Sequence, residues 1–369
     1  MGGAAMNYRF IRNVVIKGLL LFLMINLAWA FVDDSNLSRL SLYNNLLKGR
    51  DRLPYGENPA ESYNLSLFDI DAMLASHRLS GASKPADEFR VIVLGDSSAW
   101  GTLLMPEETL AGQLDAAGLV TEDGRQVRFY NLGYPTLSLL KDLMILEEAM
   151  RYSPDLILWP VTLESFPRQN QLESPIVANN PARVNELIKR YDLNLTSLEE
   201  DKSLWQRTII GQRRALADRL RLQFYGIMWS ATGIDQAYPD DYTPAQRDLE
   251  ATEDYYGWKP PEIPEDGLTF DLISAGMEIA DGVPVILINE PILISEGENS
   301  DIRYNYYYPR WVYDEFRHAF NDTCRMEGWT CLDLWDLVPQ EHFTNTAIHR
   351  DAQGESLFAW RIIKSGLIP

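Results

Sequence analysis

Cysteine is nearly missing from this sequence of 369 residues: only Cys324 and Cys331 occur. No further Cys or His ligands stand beside them, so they do not make a structural zinc site, and neither a metal nor a cofactor is expected. In an exported chain the two can pair as a disulfide. Positive charge is also short, with 33 Lys and Arg against 53 Asp and Glu, a net charge of −20. That balance disfavours an anionic membrane surface as the partner of the domain as a whole, and nucleic acid is discarded as a partner. Histidine is scarce too: His77, His318, His342 and His349 are the four available, which leaves few candidates for a general base.

What is present is enough apolar residue, 46%, to bury a sizeable core in one large domain or two smaller ones. One charge-free run stands apart, Gly18 to Val32, preceded by Arg9, Arg12 and Lys17 and followed by Asp33 and Asp34. It reads either as a cleaved export signal, with Ala28-Trp29-Ala30 as the small-x-small site, or as an uncleaved anchor if Val14 to Ile16 are added and Lys17 snorkels. The anchor is favoured. Either way the bulk of the chain is expected on the extracytoplasmic side, although Arg39, Lys48, Arg50 and Arg52 blur the positive-inside pattern.

Three regions follow: residues 1–33 as anchor or signal segment, 34–88 as a polar connector packing on the domain, and 89–369 as the domain itself. The connector ends in a short helix near Leu67 to His77, with His77 as a surface or packing histidine. In the domain, apolar runs predict parallel strands at Val91 to Leu94, Val127 to Asn131, Leu156 to Val161, Val285 to Ile288 and Cys331 to Leu334. Helical patterns between them, at Pro106 to Ala117, after Pro135 up to Pro154, and from about Trp311 to Met326, predict a sheet covered on both faces. The alternation is interrupted by an expected insertion at 166–270, of lid or docking size, with helical patterns at Pro181 to Arg190 and Leu204 to about Met228. The second of these gathers Arg207, Arg213, Arg214, Arg219 and Arg221 near Trp205, Phe224 and Trp229. It is either a solvated basic face over an apolar one, or a surface that meets the membrane or an acidic polymer.

The chemistry is expected where the first strand breaks, at Gly95-Asp96-Ser97-Ser98. A serine at the carboxyl end of a buried strand and the start of a helix sits where unpaired N–H groups can stabilise an oxyanion. The plain alternative is an ordinary strand-to-helix turn, with Gly for the bend and Asp or Ser as the cap. Asn289 and Glu290 end the fourth strand on the same edge, where open α/β sheets place ligands. Of the histidines, His318 reads as structural, His342 stays a candidate, and His349 is the better base because its loop follows the last strand onto the edge that carries Ser97.

GDSSAWG early, NLG after the second strand, PDLIL opening the third, INEP ending the fourth and FTNTAIHRDAQGESLFA at the end together resemble the SGNH, or GDSL-like, hydrolases. The likeness runs from about Phe89 to Ile363, apart from the insertion. It implies a flavodoxin-like three-layer α/β/α parallel sheet, with Ser97 attacking an ester carbonyl and His349 as its base. The sequence departs from the family pattern in three places. The aspartate expected three residues before the histidine is Thr346, with Asn345 before it, so that Asn345, Thr346, a backbone carbonyl or Asp351 must orient His349. The family's oxyanion glycine falls at Thr136, with Gly133 nearby, and its oxyanion asparagine falls at Glu164, which as a carboxylate would repel an oxyanion. Thr162 or Asn289 are the alternative donors.

Three functions stay open on these residues. One is an exported serine acyl-esterase removing acetyl or similar groups from a cell-surface polysaccharide, with Tyr306, Tyr307, Tyr308 and Trp311 placed either to stack on sugar rings or to fill the core. Another is an acyltransferase using the same pair in surface-polymer modification, working with a polysaccharide-export or acyltransferase partner. The last is a non-catalytic carbohydrate-binding or assembly protein on the same fold.

Overall fold

The computed structural model describes residues 8–32, 40, 44, 46–47, 49–55, 69–81, 83–199, 203–232 and 241–369, with the side chains of 218, 222, 229 and 230 excepted. At the amino end, helix α1 (Tyr8–Trp29) is 22 residues long and, alone among the described residues, long and apolar enough to cross a membrane. Residues 33–39 and 56–68, parts of the connector and the expected start of its helix, lie outside the described residues. The helix itself, α2, covers Ile70–Ser76 and is capped by Asp69, whose carboxylate accepts from Ala72 N. His77 is not a surface residue: it is fully buried.

Five parallel strands form one sheet: β1 (Glu88–Val93), β2 (Gln126–Asn131), β3 (Leu156–Val161), β4 (Val285–Asn289) and β5 (Thr330–Asp333), in the order β2-β1-β3-β4-β5. This is the flavodoxin-like doubly wound order. The strand period of two sorts the side chains into two cores. Val91, Val93 and Leu158 face α4 (Leu110–Ala116) and the last helix, α12 (Ala352–Lys364), whose Phe358 and Ile362 are fully buried. Ile92, Leu94, Ile157 and Trp159 face α5 (Leu139–Ala149), α10 (Phe270–Ile279) and α11 (Arg310–Glu327). The three layers expected from the alternating pattern are therefore present, and β1, β3 and β4 read as apolar runs because both of their faces are covered.

Helices α6 (Pro175–Ala178) and α7 (Pro181–Arg190) pack on α5 and bury Ile176, Val177, Val184 and Leu187 in the main core. The pattern from Leu204 breaks into α8 (Leu204–Arg207) and α9 (Arg213–Thr232), since Thr208 and Gly211 turn the chain between them. Residues 233–240 of the Pro- and Tyr-rich loop lie outside the described residues. Cys324, near the end of α11, and Cys331, in β5, form a disulfide with their Cα atoms 6.2 Å apart.

Candidate active site

The site is built at the carboxyl edge of the sheet, beginning with Gly95. Its φ of +121° and the 2.9 Å that would separate an added Cβ from Ala99 Cβ leave no room for a side chain, so the chain bends there as only glycine allows. Buried Lys141 fixes the bend, donating to Gly95 O at 2.7 Å and Tyr134 O at 3.1 Å. Asp96 then caps the single-turn helix α3 (Ser97–Trp100) by accepting from Ser98 N at 2.8 Å. Ser97 is thereby set at the first helical position, partly exposed, with its neighbours buried.

His349 reaches Ser97 across 252 residues of sequence, its Nε2 2.7 Å from Ser97 Oγ. Its Nδ1 lies 2.8 Å from Asn345 Oδ1. An amide oxygen accepts, so Nδ1 carries the ring proton and Nε2 is left as a lone pair facing the serine hydroxyl. Thr346 does not touch the ring; its hydroxyl accepts from His349 N at 3.1 Å and Ile348 N at 3.3 Å, folding the turn that presents the histidine. Burial, aided by the adjacent Arg350 charge, lowers the His349 pKa to about 3. The imidazole is therefore neutral and able to accept a proton throughout the ordinary pH range.

Several residues read as candidates from sequence are committed elsewhere. Asp351 does not orient His349: it caps α12 by accepting from Gly354 N at 2.7 Å and pairs with His342 Nδ1 at 3.1 Å. The histidine that contacts Ser97 is His349 and not His342. His318 stands exposed on α11. Gly133 is not a free oxyanion donor, because its N–H is held by Asn131 Oδ1 at 3.0 Å. Asn289 donates to Asp333 at 2.8 Å and accepts from Tyr313 at 3.0 Å, and Thr162 bonds Tyr308 at 3.0 Å, so neither side chain is available. Glu164 accepts from the phenols of Tyr255, at 2.9 Å, and Tyr256, and burial raises its pKa. Among the described residues no partner is found for the N–H groups of Ser97 and Thr136. Thr136 has φ +113°, a value that favours glycine, and its hydroxyl is tied to Ser174 at 2.8 Å.

Behind the pair lies a buried ionic cluster that the sequence reading missed. Arg350 donates to Glu290 at 3.0 Å, to Glu355 at 2.9 Å and to Pro291 O at 3.2 Å, all fully buried. Ser98 bonds the same Glu290 carboxylate. Burial, with nearby Asp96 adding repulsion, raises the Glu290 pKa to about 8, and burial raises that of Glu355 to about 7. The residue after His349 therefore ties its loop to the end of β4 and to α12. A charged Arg directly following the candidate base was the available signal.

A cavity of about 420 Å³ opens beside Asn345, lined also by Thr243, Pro244, Ala245, Gln246 and Tyr306. Its wall joins the histidine loop through Ala245 N, which donates to Thr344 O at 2.8 Å. Tyr306 lines it, whereas Tyr308 is buried in the core and Trp311 donates to Glu253 O. No group of three or more potential metal ligands occurs among the described residues.

The resemblance to the SGNH hydrolases extends from the sequence blocks to the fold: the sheet order is flavodoxin-like, and the first-block serine and last-block histidine meet at one edge. No protein-family model and no curated protein matches the chain. Among solved structures it is similar to a member of the lipolytic protein G-D-S-L family from Veillonella parvula DSM 2008, at 12% identity over 74% of this chain and 96% of that one, with a TM-score of 0.34. It is also similar to a carbohydrate acetylesterase family member from Sinorhizobium meliloti, at 12% identity over 75% of this chain and 98% of that one, with a TM-score of 0.32. At these identities and scores the likeness adds nothing to the geometry above.

Proposed function

We propose that this chain is an SGNH-type serine acyl-esterase, anchored by α1 with its domain on the extracytoplasmic side, and that it removes acetyl or similar acyl groups from a carbohydrate. The observation that carries the proposal is the Ser97 Oγ to His349 Nε2 contact of 2.7 Å with Asn345 on the opposite ring nitrogen. In this reading Ser97 Oγ attacks the ester carbonyl carbon while its proton passes to His349 Nε2. The N–H groups of Ser97 and Thr136 stabilise the oxyanion, each such donor being worth roughly 10²–10³ in rate. His349 then gives the proton to the leaving sugar oxygen as the C–O bond breaks, leaving an acyl-serine. Water repeats the sequence, losing its proton to Nε2, and releases the carboxylic acid.

Asn345 in place of a carboxylate keeps the tautomer but offers no countercharge to the imidazolium. A modest rate is therefore part of the proposal. The cavity beside Asn345, with Tyr306 at its wall, supports a sugar-sized alcohol portion. The test is acetate release from acetylated mono- and oligosaccharides by the purified full chain. Turnover should vanish in Ser97→Ala and fall by about 10²–10⁴ in His349→Ala, the contribution of a positioned base. Unchanged release by Ser97→Ala would remove the esterase reading, and transfer of acetyl to an added glycan in preference to water would turn it into the transferase.

A further inference from the structure

Helices α8 and α9 take no part in this chemistry, and α9 is built the wrong way round for a solvated helix. One of its faces meets the body: Arg219 pairs with Asp69 at 2.9 Å, Gln223 donates to Leu40 O at 2.9 Å and Gly226 is buried. The opposite face carries Leu220, Phe224 and Met228, four residues apart and so in one stripe, at 64%, 74% and 49% exposure. A helix on a soluble domain turns such a stripe inward. Exposed Arg213, Arg214 and Arg221 flank it, and α8 adds Leu204 and Trp205, at 50% and 59% exposure.

Position supplies the occupant. Asn26, in the last turns of α1, accepts through Oδ1 from Ile210 N at 3.1 Å, in the turn that joins α8 to α9. The outward stripe therefore starts where the apolar α1 ends. We propose that α8 and α9 lie on the surface of an anionic lipid bilayer at the outer end of α1, with the Leu220, Phe224 and Met228 stripe at the boundary of headgroups and acyl chains and the arginines on lipid phosphates. In a chain of net charge −20, this is a local cationic, apolar patch of the kind that interfacial helices use. The contact rests on α1 being an uncleaved anchor, and with α1 it would hold the domain at two points.

The test uses the full chain in liposomes. Both native cysteines are in the disulfide and no free thiol exists among the described residues, so Phe224→Cys, at an exposed position, takes an environment-sensitive fluorophore through a single thiol. Glu186→Cys, exposed on α7, is the control. In phosphatidylcholine vesicles containing phosphatidylglycerol, the label at 224 should shift to the blue and be quenched by shallow lipid-borne quenchers, consistent with burial of ~5–10 Å. The label at 186 should do neither. The 224 signal should weaken when phosphatidylglycerol is omitted or when Arg213 and Arg214 are both changed to Glu. If the chain floats with the vesicles while both labels report water, the proposal is overturned and the anchor stands; a protein partner would then be the occupant of the stripe. If insertion at 224 ignores lipid charge, the anionic surface is overturned. If the chain does not float, the anchor reading fails and takes this one with it.

Discussion

At the scale of the residue, the feature that sets this site apart is a buried histidine oriented by an amide. With the His349 pKa lowered to about 3 by burial and by Arg350, the base stays neutral through mild acid. Between pH 6.5 and 4.5 a histidine at its ordinary pKa would lose about 50-fold of its neutral form, whereas kcat/KM here should stay nearly flat. Measuring kcat/KM for an acetyl ester over that interval checks it, and a 50-fold fall would contradict the neutral buried base. Asn345→Asp should stabilise the imidazolium, restoring a sigmoidal fall at higher pH and raising kcat at neutral pH by at most about tenfold for each unit gained in the His349 pKa. Asn345→Ala should lower kcat. Ser97 and His349 were legible as residue types in blocks, with Asn345 named only as one of four possible orienters. The capture of Gly133 N–H by Asn131 and the Arg350 cluster were not, because they depend on side chains brought together from β2, β4 and α12.

At the scale of the element, the sheet was legible because buried parallel strands are written as continuous apolar runs, and observed limits differ from the expected ones mainly by a residue or a few. The region 166–270 was harder to read, since α6 and α7 share the amphipathic pattern of any peripheral helix, and only their packing on α5 shows that they belong to the core. The short distance from Cys324 to Cys331 closes a small loop between α11 and β5, worth about 2.5 kcal/mol by chain entropy. Replacing both cysteines by serine should lower the unfolding free energy by about that amount in denaturant titrations without altering ester turnover; loss of turnover would place the disulfide in support of the site. Gly133 lies so close to α3 that an added Cβ would meet Trp100 N at 2.5 Å. Gly133→Ala should therefore cost roughly 1–3 kcal/mol of stability and disturb the turn carrying Ser97, read as a fall in kcat alongside the midpoint of unfolding.

At the scale of the whole molecule, stability should carry the mark of a neutral buried histidine far from the chemistry. His77 accepts from Leu79 N at 3.1 Å on Nδ1 and donates to Asp51 O at 3.1 Å from Nε2, so protonation would break the cap on the turn after α2. Burial, then the neighbouring Arg78, lowers its pKa to about 3. Between there and the unfolded value near 6.5 the unfolded chain binds the extra proton, so the contribution is present above that window and lost as pH falls through it. His77→Gln should flatten the dependence of unfolding free energy on pH between 6 and 4.5 by about 1.4 kcal/mol per pH unit, and an unchanged slope would contradict it. The acidity of the chain and its one apolar segment were plain in the sequence, while the junction of α1 with the α8 to α9 turn rests on a single asparagine within that segment and needed the structure. The most direct test of the central claim is the mass of the full chain in vesicles after exposure to a fluorophosphonate. One adduct on the peptide bearing Ser97, absent in Ser97→Ala and slowed in His349→Ala, is the predicted result; an unmodified chain, or an adduct that persists in Ser97→Ala, would contradict it.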